Sequence, residues 1–391
     1  MNVLLTTGRM PKGLELARAL AGSGHRVVVA DPFRWHIAKV SNAVMRAYRV
    51  RAPRDDAPGF LVDVLDVVAR ERIDLVVPVS EEAMHVVELE GRLPRHTRLF
   101  AAPRDLVHAL HDKLRFNRLA AGLGLPVPST EALDTPAAEA LVAAGAVVVK
   151  PVWSCGGSGV HFVDRGGSLG SVPATRPGLV QARVDGRHLS TCSVAWRGRV
   201  LGTAVYEGTV FSGTVAVAFQ RVDRATAIEE WIEVLVRGTG YSGFISFDFI
   251  VAEDGVPMAI ECNPRITSGV HLLDPRGLAA AVTNPESAGP VRPRAHGLWQ
   301  HFYTSLMETE RALLTGKPFR AQLAQLRRAR DVVWDAHDPL PFLLRIPVSH
   351  QVLRMSMFGG MSMGEAATRD IGWFGPASGS RPQPGAVASR R

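Results

Sequence analysis

The stretch from Gly243 to Gly269, GFISFDFIVAEDGVPMAIECNPRITSG, constrains this chain more tightly than any other. Two apolar runs flank Asp254-Gly255. An Asp-Gly pair in that setting is a strong hairpin signal, because a type I′ turn needs positive φ at both central residues. With those two residues as the turn, Asp248 stands opposite Glu261 across the ladder. Directly opposed Cβ atoms lie about 4.5–5.5 Å apart, and like charges so placed are destabilising. A divalent cation between the two acids reverses that sign. Asn263 projects from the same strand face two residues later. Asp, Glu and Asn are hard oxygen ligands suited to Mg2+ or Mn2+. Pro264 then ends the strand, and Arg265 follows as a fixed cation. Phe247, Phe249 and Val251 alternate with Asp248, which marks one face as core and turns the acids away from it. The competing reading is a polar edge hairpin pointing into water. Cys262 lies on the core face and is read as structural.

Lysine is scarce: five residues (Lys12, Lys39, Lys113, Lys150 and Lys317) against forty arginines. A general Arg bias explains most of this. Within it, each remaining Lys marks a candidate position where Arg's planar fork would not serve. Lys150 ends the apolar run Val147-Val148-Val149, and the loop Ser154-Cys155-Gly156-Gly157-Ser158-Gly159 follows before Val160–Val163 resumes a strand. A strand–glycine loop–strand unit lets backbone N–H groups close over phosphates, although an ordinary hairpin reads the same way. No Lys-Ser/Thr pair opens a helix there, so this is not a Walker loop. Lys113 precedes it on a helix expected over Asp105–Gly122. Both lysines would act as point charges on a phosphate chain. Leu179–Val184 reads as a further strand, with an exposed backbone edge that could pair with a purine.

The first hundred residues alternate short β-branched runs (Val3–Leu5, Val27–Val29, Leu75–Val79) with helical spacings (Leu14–Ala21, Phe60–Arg70), which implies a parallel, doubly wound α/β unit. Such a start invites a nicotinamide-cofactor reading. The residues after the first strand, Thr6-Thr7-Gly8-Arg9-Met10-Pro11-Lys12-Gly13, misplace the fingerprint glycines and put Pro11 where a backbone donor is needed. Asp31 alone could hold a ribose. Pro78-Val79-Ser80-Glu81-Glu82 sits at the carboxyl end of a strand, where its acids could face substrate; a solvated helix start favoured by the dipole is the alternative.

Beyond residue 105 the runs 147–151, 160–163, 179–184, 190–206, 213–220, 244–251 and 257–262 read as strands of an α+β region with a largely antiparallel sheet. The expected division is 1–105, 106–290, a small helical appendage over 291–375, and a Pro/Ser/Gly/Arg-rich tail, 376–391, expected to be disordered. Residues 284–295 read as a linker. No run reaches the length of a membrane span, and MNVLLTTGRMPKG has no leader pattern. The cysteines, Cys155, Cys192 and Cys262, show no metal or disulfide spacing, so a cytoplasmic setting is expected. The net charge of +8 points to an anionic partner, but the arginines are scattered without interleaved aromatics, which argues against nucleic acid.

In order along the chain, DKLRFNRLAAGLGLPVPST (112–130), VVVKP (147–151), SCGGSG (154–159), LVQARVDG (179–186), FDFIV (247–251) and AIECNPRITSG (259–269) resemble the ATP-grasp superfamily, most of all its carbamoyl-phosphate-synthase-like carboxylate–amine ligases. The resemblance covers about 105–290. It implies a Rossmann-like pre-ATP-grasp domain followed by an ATP-grasp fold. It also implies that Lys113 and Lys150 bind ATP phosphates, that Gly156, Gly157 and Ser158 form the phosphate flap, and that Gln181, Ala182 and Val184 belong to the adenine hinge. Asp248, Glu261 and Asn263 would hold Mg2+ or Mn2+, and Arg265 would act on the transferred phosphoryl group. Three positions depart from the pattern. Ala182 replaces a commonly acidic hinge residue, His188 stands where a ribose-contacting acid is expected, and Ser246 stands where some amino-acid ligases carry Arg. The implied reaction activates a carboxylate as an acyl phosphate and joins it to an amine, both small molecules, with no nucleic-acid or membrane partner. Dimers are common in the family, so a homodimer is expected by resemblance. The alternatives are a nucleotide-binding module without ligase activity and a nicotinamide-dependent oxidoreductase. Gly269-Val270-His271 could touch substrate or start a helix, and Phe302–Leu314 and Val332–Leu344 carry no interpretable motif.

Overall fold

The computed structural model describes residues 1–154, 159–173, 177–315, 318–359 and 363–375. The expected glycine flap (Gly156, Gly157, Ser158), Cys155, Lys317 and the tail expected to be disordered lie outside these residues. Among the described residues, sixteen strands form three sheets.

The first sheet is parallel, in the order β3(Arg46–Arg49)-β2(Arg26–Asp31)-β1(Asn2–Leu5)-β4(Leu75–Val77)-β5(Arg98–Leu99). The apolar runs fill it because both faces are covered, by Leu14, Leu16 and Leu20 on one side and Phe60, Val64 and Val68 on the other. Strand order reverses between β1 and β4, the place where open α/β sheets bind ligands. The loop after β4 contains Glu81, and Lys12 lies in the first turn of the helix that follows β1, Pro11–Gly22.

The second sheet is small, in the order β6(Thr130–Ala132)-β9(Gly178–Ala182)-β7(Val147–Pro151)-β8(His161–Val163), over its own core of Ala138, Val142, Val149 and Val180. The third has seven strands, β14(Pro257–Asn263)-β13(Gly243–Val251)-β10(Arg187–Trp196)-β11(Arg199–Ser212)-β12(Val215–Arg221)-β15(Leu298–Gln300)-β16(Arg330–Asp331), antiparallel except for the last pair. The helix Thr226–Thr239 covers one face with Ile228, Trp231, Ile232 and Leu235 against Phe247 and Phe249. This is the α/β then α+β organisation expected from the sequence.

Four local expectations change. The apolar run 190–206 folds back on itself at Arg197-Gly198, both at positive φ (46° and 79°), so it supplies two strands. The helix expected over 105–122 breaks at Asp112, whose carboxylate accepts from the N–H groups of Leu114 and Arg115 and starts a new helix at Lys113. The edge expected at Leu179–Ala182 is interior, since β9 is paired on both sides. The segment 291–375, expected as a helical appendage, adds β15 and β16 to the large sheet.

The chain returns to the first sheet at 363–375. Asp370 pairs with Arg9 at 2.6 Å, the Gly372 carbonyl lies 3.4 Å from His85 Nε2, and Trp373 stacks on His108 and meets Trp153 edge-on. Burial pushes the His85 imidazole down to about 4, despite that carbonyl. The stability this represents is fully present above the ordinary histidine range. It is lost as pH falls toward 4, because the unfolded chain then takes up a proton that the folded chain refuses. The expected loss is on the order of 2–3 kcal/mol. His85→Gln, which can still donate to Gly372, is expected to lose less stability than wild type between pH 7 and pH 4.5. Urea midpoints at the two pH values measure the difference, and identical shifts in both proteins would rule this out.

Candidate active site

The hairpin that sequence places at the centre is present, with Asp248 paired to Glu261. The turn differs from expectation. Gly255 is at φ +81° while Asp254 has no positive φ, and the Gly255 N–H donates to the Ala252 carbonyl. The connection is thus a three-residue loop in which only glycine takes the left-handed conformation. That loop alone would shift the register by one. A bulge at Ile260 restores it, so the acids meet after all. The bulge also frees the Ile260 carbonyl, which accepts from Lys150 Nζ at 3.0 Å.

Around the acid pair the cations converge. Lys113, at the start of its helix, reaches Glu261 at 3.5 Å and the Ser154 carbonyl and hydroxyl at 3.2 and 3.3 Å. Lys150 Nζ also donates to Gln181 Oε1 at 2.9 Å, and the Gln181 amide donates in turn to Thr130. Both lysines are buried. Burial pushes the Lys150 amine down to about 8, against the pull of Glu261. Burial and the facing Glu261 push the Asp248 carboxyl above its usual range. Asp248 accepts from the Ser190 hydroxyl at 2.6 Å and the Asn263 amide at 3.2 Å, and Arg265 donates to Asn263 Oδ1 at 3.0 Å. His188, exposed on β10, lies 3.9 Å from Asp248.

Arg265 forms an ion pair with Glu81 from the loop after β4; Glu81 is buried and Arg265 partly so. Burial would raise the Glu81 carboxyl, but Arg265, His111 and Lys12 together hold it below the usual range. Glu82 is closed in its own loop, accepting from the N–H groups of Val79 and Ser80 and from Thr6. Neither acid is the solvated helix start that sequence allowed. Lys12 Nζ donates to the Ile266 carbonyl at 2.9 Å, and burial beside Arg265 pushes its amine down to about 7. Ser246 holds the Arg265 carbonyl and meets Thr267. Glu81, which sequence placed at a strand end that could face substrate, and Lys12, one of the five lysines, are neighbours of this centre, and Ser190 is a neighbour that sequence reasoning did not single out. Lysine scarcity was a usable signal for Lys12.

Other expectations fall elsewhere. Val270 and His271 are buried, His271 against Glu15 at 2.9 Å. Cys262 faces the core beside Phe247, where burial pushes its thiol far up. Ala182 and Arg183 spend their N–H groups on Ser129 and Ala146, and Val184 is the next residue, whose N–H has no backbone partner among the described residues. The crevice beside β1 is closed to a pyrophosphate. Asp31 accepts from the N–H groups of Gly8, Arg9 and Phe33 and from the Arg9 guanidinium.

Two carboxylates and an amide oxygen are hard donors and fit a small divalent cation. Among the described residues no three His, Cys, Asp or Glu side chains form a metal-holding group. The rest of a coordination shell here would come from phosphate oxygens and water.

Residues 110–269 match the family model of the ATP-grasp domain. Among solved structures, the chain is similar to N5-carboxyaminoimidazole synthetase from Staphylococcus aureus, at TM-score 0.62 and 11% identity over 81% of this chain and 86% of that one. It is similar to an L-amino acid ligase from Bacillus licheniformis at TM-score 0.59 and 17% identity, over 75% and 77%. It also resembles the biotin carboxylase domain of Hydrogenobacter thermophilus 2-oxoglutarate carboxylase, solved with MgADP, ADP and bicarbonate, at TM-score 0.59 and 14% identity over 75% and 72%. At these identities the likeness is one of fold.

Proposed function

Because this chain carries an ATP-grasp domain over residues 110–269, we propose that it is an ATP- and Mg2+-dependent ligase joining a small carboxylate to an amine. The observation that supports this most is the convergence of Lys113, Lys150 and Arg265 on the Asp248–Glu261 pair. In this reading Lys113 and Lys150 bind the phosphate chain as compact charges, and Val184 presents the backbone edge for the purine. Asp248, Glu261 and Asn263 hold the cation, which when bound neutralises phosphate oxygens. Phosphoryl transfer needs positioning and charge neutralisation rather than a protein nucleophile. The substrate carboxylate attacks the γ-phosphorus, ADP leaves, and Arg265 steadies the phosphoryl oxygens. The amine then displaces phosphate from the acyl phosphate and loses a proton.

The test is a screen of carboxylate and amine pairs for Mg2+-dependent release of ADP and phosphate. Nucleotide binding without turnover on any pair would favour a binding module instead. Lys113→Met and Lys150→Met are each expected to weaken Mg·ATP binding by about 10- to 100-fold, the worth of one charge-assisted contact. Thermal stability should hold, because methionine fills the space without a buried charge. Titration calorimetry checks this, and unchanged affinity in both variants would count against the reading.

A further inference from the structure

The two helices that meet at Asp112 put His111 at the end of one and Lys113 at the start of the other. His111 is 3% exposed, and its Nε2 is buried with no hydrogen-bond partner among the described residues. A buried ring nitrogen left unpaired costs free energy, and packing alone does not account for it. Trp373 holds the ring in place. It meets His111 edge-on with centroids 5.7 Å apart and is itself stacked on His108, one turn earlier on the same helix. Burial pushes the His111 imidazole down to about 4, against the pull of Glu81 and Glu261. The ring is therefore neutral and can carry its one proton on Nε2.

The charged groups that act on His111 form two pairs, Glu81 with Arg265 and Glu261 with Lys113. Each acid already has a cation, and Nε2 bonds to neither. In the ligase reading, on which this inference rests, Lys113 lies on the phosphate chain and Arg265 on the transferred phosphoryl group. The terminal phosphoryl group is the part of the nucleotide common to both cations, and its oxygens are acceptors of the kind that Nε2 lacks. We propose that His111 is a catalytic residue whose Nε2–H donates to an oxygen of the transferred phosphoryl group. A neutral donor suits this place. It adds to the stabilisation from Arg265 without a further buried cation beside Arg265 and Lys113, and it keeps its proton throughout the transfer. The unpaired nitrogen is then a donor set in advance for a group that arrives with the nucleotide.

Titration calorimetry of the full chain with Mg·ADP and with the Mg2+ complex of the β,γ-imido analogue of ATP tests this, because the two nucleotides differ by the terminal phosphoryl group. His111→Phe keeps a ring against Trp373 and removes the donor. It is expected to bind Mg·ADP within about twofold of wild type and the analogue about tenfold or more weakly, the worth of one hydrogen bond to a charged group. Its melting temperature should be no lower than that of wild type, since the unpaired nitrogen is gone. His111→Gln, which returns an N–H donor, should recover most of the analogue affinity. Should Phe not fit the site, His111→Leu is read in the same way. An unchanged affinity for the analogue, an equal loss for both nucleotides, or a Gln variant no better than Phe would overturn the inference. Wild-type protein that binds neither nucleotide would instead overturn the ATP reading beneath it.

Discussion

Asp248→Asn and Glu261→Gln are each expected to lower carboxylate-dependent ADP formation by about 10^3-fold or more, while leaving the metal-free protein at least as stable as wild type. The two halves of this expectation have one cause. The acids stand directly opposite each other on β13 and β14, an arrangement that costs stability until something positive lies between them. Lys113 and Lys150 supply part of that charge. Removing one acid relieves the repulsion, and Ser190, whose hydroxyl donates to Asp248, can reverse its role toward an amide. On the proposed reading, the same change would remove a hard ligand from the cation that neutralises the transferring phosphoryl group, a loss on the scale of a missing transition-state charge stabiliser. Activity and melting temperature measured together decide the matter. A variant that keeps its rate, or one that unfolds, contradicts this account.

Arg265→Met should be comparably severe for activity, but with a stability cost that the acid variants lack. The Glu81 carboxylate is buried and the Arg265 guanidinium nearly so, and removing one partner of such a pair leaves a poorly compensated charge, costing up to about 3–5 kcal/mol. Glu81→Gln removes the opposite charge while keeping the shape. Glu81 touches no proposed substrate group, so it is a positioning residue, and its loss should lower kcat by about 10- to 100-fold by freeing Arg265 to turn. The double variant Arg265→Met/Glu81→Gln should regain much of the stability and none of the activity. That non-additivity is the readout. Full activity in Arg265→Met would remove Arg265 from the mechanism.

The sequence made the acid pair legible because strand alternation and a turn signal act over a few residues, where local geometry decides. Even there the agreement hides two departures that cancel, the longer loop at Gly255 and the bulge at Ile260. Alternation shows which face a residue takes; it does not show an inserted residue. The break at Asp112 was hidden for the opposite reason. Asp105–Gly122 is continuous in helix propensity, and only the cap formed by Asp112 itself stops it. The interior position of β9 depends on β6, which the sequence reading did not identify as a strand. The partners of Arg265 and Lys12 come from segments far apart in the chain, and spacing carries no information about contacts made by packing two sheets together.

The ion pair between Arg9 and Asp370 joins residues 361 positions apart. Chains emerge from the ribosome from the amino end, and early units fold first. The loop after β1 is therefore made well before one of its two carboxylate partners, which follows 361 residues later. Until then Asp31 is the one carboxylate on Arg9, whose guanidinium also lies over the Phe33 ring, and the surface that later receives Trp373 stays uncovered by it. Nascent molecules stalled anywhere before residue 370 share that unfinished face, which makes the arrival of residues 370–373, rather than the formation of the parallel sheet, the step at which this face is covered.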